Sequence, residues 1–211
     1  IANVIPPRES TGLILPVLIM GDIFAVAYYR RHAVWKHLVR LLPWAIAGII
    51  PGYFLLGRLN DAQFKPVIGI IILALIALRY LHARFGEKLT ALMESSLFAA
   101  FIGILAGVVT ILSNAAGPIM TVYLLSMKLP KEELLGTGAW YFLIVNCVKV
   151  PFSADLGLIN PMYLKINLMM FPMVVVGVIA GIYVMKNIPQ KYFNVTAEVL
   201  AAAAAVKLLI W

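Results

Sequence analysis

Apolar residues run through this chain in long blocks, separated by short clusters of basic and polar residues. A helix needs about 20 mostly apolar residues to cross the ~30 Å hydrocarbon core of a bilayer. Thr11–Tyr29, Leu38–Leu56, Pro66–Leu81, Gly136–Phe152, Leu168–Val184 and Val195–Trp211 approach that length. Ser95–Met127 exceeds it: at 1.5 Å per residue it would be about 50 Å of helix, too long for one upright crossing. Its middle reads Ser113-Asn114-Ala115-Ala116-Gly117-Pro118, which is breaker chemistry. No alternating strand pattern is present. The connectors Arg30–His37, Gly57–Lys65, His82–Glu94, Lys128–Leu135, Ser153–Asn167 and Met185–Asn194 are too short for a soluble domain. The pattern predicts an all-α polytopic membrane protein, with residues 1–211 forming one membrane domain.

Composition sharpens this. Hydrophobic residues make up 63% and charged residues only 12%, against about a quarter charged in soluble domains. So few charges cannot build a water-facing exterior. The net charge of +8 belongs to loops beside anionic lipid rather than to nucleic-acid binding. Tyr28, Tyr29, Trp35 and Trp44 read as interfacial belt residues. Cys147 is the only cysteine, which excludes an internal disulfide, and in its apolar run it reads as a packing residue. His32, His37 and His82 lack metal spacing. With no nucleophile–base set and no Walker loop, the expectation is no enzyme, no metal and no cofactor.

The two halves echo each other. Pro43, Gly48, Gly52 and Phe64 recur as Pro172, Gly177, Gly181 and Phe193 at an offset of 129. Nearer the start the offset is 124: Pro6, Glu9 and Gly12 match Pro130, Glu133 and Gly136, and Asp22 falls opposite Asn146. This predicts two structural repeats, 1–88 and 89–211. In that alignment Ile1 matches about Ser126, so a counterpart of Ser95–Leu125 is expected upstream of Ile1.

Loop charge sets the topology. If Ser95–Met127 crosses once, basic residues divide eight to six between the two sides; if it dips in and returns, they divide eleven to three. The stronger bias selects a re-entrant or broken helix at 95–127. Arg30–His37 and Met185–Asn194 then share the cytoplasmic side. The halves become inverted repeats, a common plan for secondary transporters.

Candidate chemistry gathers at this break. Asn114 suits a cap and Pro118 the first turn of the arm Pro118–Met127. An N-terminus buried there would offer free N–H groups and partial positive charge to an anion. The alternative is a proline kink in one long tilted helix. Asn146 and Lys149 share a helix face. A lysine inside a span is functional by default, unless it snorkels from the helix end near Pro151. Asp22 could carry a proton or form a structural ion pair. Thr137 could donate to substrate or merely open its helix. Glu132-Glu133 reads as a solvated helix start, and the Ala201–Ala205 run as close packing that would suit a homodimer.

These residues carry a resemblance. Leu13–Pro16, Asp22 with Tyr29-Arg30-Arg31 and Trp35, Leu42-Pro43 through Gly48 and Gly52, Gly103–Gly107 with Thr110, Asn114 with Gly117-Pro118, Tyr123-Leu124-Leu125, Gly136-Thr137 with Ala139, and Asn146 with Lys149 and Pro151 follow one another in order. In this the chain resembles the sulfite exporter TauE/SafE family, also called the toluene-sulfonate uptake permease family. The glycine-rich first helix usual in that family does not precede Ile1. The resemblance implies a secondary transporter of sulfite, a sulfonate or a related sulfur anion, in the cytoplasmic (inner) membrane of the cell. An exporter working by alternating access is the leading expectation; an anion channel and a non-transporting membrane subunit are the alternatives. The expected substrate-binding residues are Asn114, Gly117, Pro118, Thr137, Asn146 and Lys149, with Asp22 coupling a proton or pairing.

Overall fold

A computed structural model describes residues 7–56, 66, 68–77, 80 and 95–210, with backbone alone at 7–9 and 161–163. Among these residues the chain is helical, without strands. The helices are α1 (Pro7–Tyr29), a short 3-10 turn (Arg30–His32), α2 (Trp35–Leu56), α3 (Ile68–Ala77), α4 (Ser96–Ser113), α5 (Gly117–Ser126), α6 (Lys131–Asp155), α7 (Pro161–Asn187) and α8 (Gln190–Ile210). Six are long and apolar enough to cross a membrane: those containing Ser10–His32, Trp35–Leu56, Ser96–Ser113, Lys131–Asp155, Leu164–Asn187 and Gln190–Ile210. The connectors Gly57–Lys65 and His82–Glu94, and parts of Pro66–Leu81, lie outside the described residues.

Close approaches fix the helix directions. A Cβ on Gly103 would meet Leu41 and Trp44, one on Gly107 would meet Ala45, and one on Gly52 would meet Val108 and Ile111. The numbers rise together, so α2 and α4 run parallel. At Gly107 the added carbon would sit 2.0 Å from the Ala45 carbonyl oxygen, so only glycine lets these backbones approach so closely. Gly12 lies against Leu158, and Gly136 against Tyr29 and Ala33, which makes α1 and α6 antiparallel. Phe24 and Phe171 pair at 6.0 Å, and Tyr28 shares a groove with Val178 and Ile182, so α1 and α7 are parallel.

The segment at 95–127 is broken and folds back. The rings of Phe98 on α4 and Tyr123 on α5 stack 6.2 Å apart. In one continuous helix they would be separated by roughly 37 Å. The long tilted helix with a proline kink is therefore ruled out. Ser95 starts α4 by accepting from the Phe98 N–H at 3.1 Å.

Two of the basic connectors, Arg30–His37 and Met185–Asn194, lie at the same end of α6. The Lys131 ammonium donates to the carbonyls of Met185, Lys186 and Ile188 at 2.9, 3.3 and 2.7 Å, while Gly136 sits against the Tyr29–Ala33 exit.

Several expectations need correction. The helices extend further into the connectors than apolar composition indicated: α6 starts at Lys131 and α7 at Pro161. Polar first and last turns still make helix when they lie where water can solvate them. Cys147 is exposed rather than a packing residue, because it falls on the outward face of α6. Tyr29 is buried, although Tyr28, Trp35 and Trp44 remain outward. The alanine run does pack closely, as expected, burying Ala201 and Ala205, with Ala205 against Gly69 of α3.

Candidate functional site

The break between α4 and α5 is built by its sequence. Asn114 adopts a left-handed conformation, φ 54 and ψ 20, and its N–H returns to the Thr110 carbonyl at 3.0 Å. Asparagine tolerates this region better than other residues with a Cβ. Asn114 thus closes α4. It does not cap the following arm, as the sequence had indicated; Ala116 occupies that position, and Pro118 sits in the first turn of α5, where its missing N–H breaks no helical bond. The left-handed turn turns the Asn114 side chain over to neighbouring helices.

Lys149 comes to meet it. The side chain is 2% exposed, so it does not snorkel to water. Its ammonium donates to Asn146 Oδ1 at 3.1 Å, to Thr110 Oγ1 at 3.2 Å and to Asn114 Oδ1. Asn146, one turn earlier on α6, is itself buried and donates through Nδ2 to Asp22 Oδ2 of α1 at 2.7 Å. Asn114 donates through Nδ2 to the Thr11 carbonyl, also of α1, at 3.1 Å. Each amide is oriented by having an ammonium on one side and an acceptor on the other. The result is a ring of hydrogen bonds that leaves α1 at Asp22, passes Asn146, Lys149 and Asn114, and returns to α1 at Thr11.

The ring lies deep. Along α6, Asn146 is about 15 Å and Lys149 about 20 Å beyond Gly136, which itself packs where the basic connector begins. Against a hydrocarbon core of ~30 Å both are well inside. A charge survives there only with compensation. Three neutral oxygens solvate the ammonium, and a carboxylate stands one amide away.

Not every expected residue joins this ring. Asp22, Asn114, Asn146 and Lys149 do. Gly117 and Pro118 stand at the start of α5, where a Cβ on Gly117 would meet open space. Pro118 lines an apolar groove of about 280 Å³ with Thr121, Leu134, Phe193 and Ala197. Thr137 sits elsewhere: its hydroxyl oxygen accepts from the Val34 N–H at 2.9 Å and so fastens the α1–α2 connector to α6, about 18 Å along the helix from Lys149.

Three buried polar residues, Thr110, Ser153 and Asn167, were not among the expected site residues. Thr110 entered only through the family resemblance, and its place beside the Lys149 ammonium shows what it touches. Asn167 was assigned to a connector, yet it is 1% exposed on α7 and neither amide atom has a partner among the described residues. Among the described residues no group of His, Cys, Asp and Glu could hold a metal ion.

The arrangement is a polar ring around a buried lysine at a helix break in an apolar fold. No curated protein and no solved structure matches the chain. One family does match, described as Sulfite exporter TauE/SafE, and it spans residues 1–208. The match covers nearly the whole chain, the ring included, and the chain belongs to the sulfite exporter TauE/SafE family.

Proposed function

We propose that this multi-pass membrane protein exports a small sulfur oxyanion, sulfite or an organosulfonate, across the cytoplasmic membrane by alternating access at the Lys149 ring. The family is one of membrane transporters and not of enzymes, with sulfur anions as their cargo. The observation that carries the site assignment is Lys149 itself, buried at depth with every partner a side-chain oxygen. Such partners can rotate away, so the cation is available to an anion in a way that a helix-capping lysine is not. Thr110 and Asn146 stay within reach, and the start of α5 at Gly117 and Pro118 adds the positive end of a helix dipole. Asp22 takes up a proton when the anion arrives, so the loaded site adds no net charge in oil.

Inverted repeats supply the motion. In support, α1 and α6, which the offset of 124 relates, run in opposite directions, and so do α2 and α7. Asp22 and Asn146 are separated by that same offset of 124 and touch. Residues exchanged by a two-fold axis meet only on the axis, so the ring would sit at the junction about which the halves rock. The test is flux in proteoliposomes, with sulfite and methanesulfonate as cargo and with or without a pH gradient. Saturable sulfite flux that Lys149→Met removes supports the reading. Undiminished flux in that variant refutes the site.

A further inference from the structure

An ammonium has three N–H donors, and in this structure Lys149 has committed all three, to Thr110, Asn114 and Asn146. An arriving anion must displace one of these oxygens. Asn146 is poorly placed to yield: it rides on the same helix as Lys149, one turn away, and its amide also donates to Asp22 Oδ2 at 2.7 Å, a bond that the carboxyl oxygen can accept in either protonation state. Thr110 need not leave, since a hydroxyl that accepts from the ammonium can rotate and donate to the anion instead. Asn114 differs from both. It stands outside regular helix at the hairpin tip, and its amide oxygen can only accept, so it would face an anion with like partial charge. It can turn its Nδ2 toward the anion, but only by giving up the Thr11 carbonyl.

We propose that the amide oxygen of Asn114 holds the place of a substrate oxygen at Lys149 in the unloaded protein, and that loading turns this amide and frees the α4–α5 tip from α1. The proposal rests on the Lys149 reading of the function. Its consequence is mechanical. The Asn114–Thr11 bond ties the tip of the second half to α1 in the first half, so the tie opens when the site fills. Occupancy then unlocks the motion that an empty site would hold back.

The reporter is a nitroxide on the tip, at Ser113→Cys, which is exposed, in a Cys147→Ser background. An iodoacetamide label is used because sulfite does not cleave its thioether. Electron paramagnetic resonance spectra are recorded in proteoliposomes while sulfite is titrated, and flux is measured on the same preparation. The label becomes several-fold more mobile, half-maximally at the sulfite concentration that half-saturates flux, and the response disappears in Lys149→Met. A spectrum unmoved at sulfite concentrations that saturate flux overturns the latch while leaving the transport site intact. Full sulfite flux in Lys149→Met overturns the site and the latch together.

Discussion

Two lysines on α6 make similar hydrogen bonds and are read in opposite roles. Lys131 and Lys149 each donate three hydrogen bonds to oxygens, and Lys131 also pairs with the Glu132 carboxylate at 3.7 Å. Around Lys131 those oxygens are the backbone carbonyls of Met185, Lys186 and Ile188, the unpaired end of α7 and the turn after it. Around Lys149 they belong to Thr110, Asn114 and Asn146. Lys131 is 13% exposed and Lys149 2%, yet depth is not the main difference. Backbone carbonyls at a helix end cannot turn away without unwinding the helix, so Lys131 is a fixed strut. Amides and a hydroxyl can rotate, so the shell of Lys149 can be rebuilt around a ligand. The chemistry of the acceptors separates the scaffold lysine from the one proposed as the site.

The largest expected effect falls on Lys149. Lys149→Met keeps length and volume but removes the charge. Sulfite flux should drop at least about 100-fold, the equivalent of roughly 3 kcal/mol for a desolvated charge partner, with membrane insertion unchanged. Lys149→Arg should not restore it, because a planar guanidinium does not fit three acceptors arranged around a point charge. Lys131→Met should invert this profile. Losing the three carbonyl contacts costs about 1–2 kcal/mol of stability, lowering the melting temperature in detergent by roughly 2–8 °C. Flux per folded molecule should stay within about threefold of the parent. An equal loss of flux in the two variants would erase the distinction between strut and site.

The same contrast explains what was legible in the sequence. The all-α membrane class, the break near Asn114 and the shared side of two basic connectors followed from hydropathy and charge, because lipid penalises every exception; the set of spans differs, since Ser96–Ser113 is long enough to cross and only the short helix Ile68–Ala77 is described within Pro66–Leu81. Lys149, Asn146 and Asp22 stood out for the same reason. Thr137 stood out as well, yet the fold uses its hydroxyl to hold the Val34 N–H; a residue type in an apolar run does not disclose which neighbour it will face. Thr110 appeared only in the family resemblance and not as a site residue, because threonine is common in membrane helices, and only the packing of α4 beside α6 brings it to Lys149. The role of Asn114 was misread locally: the left-handed turn at the end of α4 and a cap at the start of α5 call for the same residue type. The strut was hidden because Lys131 sits among Glu132, Glu133 and Lys128, where charge reads as solvation, and its partners are carbonyls that no sequence displays.

Thr110→Val gives a smaller and more discriminating effect. The substitution preserves shape and deletes one acceptor, leaving the ammonium short of one hydrogen bond in a buried shell. A loss of about 1 kcal/mol corresponds to roughly fivefold in sulfite affinity, read from the flux half-saturation. Thr110→Ser should restore it, since only the hydroxyl matters.

Gln190→Ala probes the strut at its weakest point. The Gln190 Oε1 accepts from the Lys131 N–H at 2.6 Å, and its Nε2 donates to Asn194 at 2.7 Å. The amide therefore braces the start of α6 against α8 without touching the three carbonyls. Water at this edge can replace both bonds, so the cost should be under about 1 kcal/mol, a shift of no more than roughly 4 °C, with half-saturation unchanged. A change in sulfite affinity from this distant substitution would mean that the seat of α6 sets the geometry of Lys149. Scaffold and site would then be one device, and the separation drawn from their acceptors would fail.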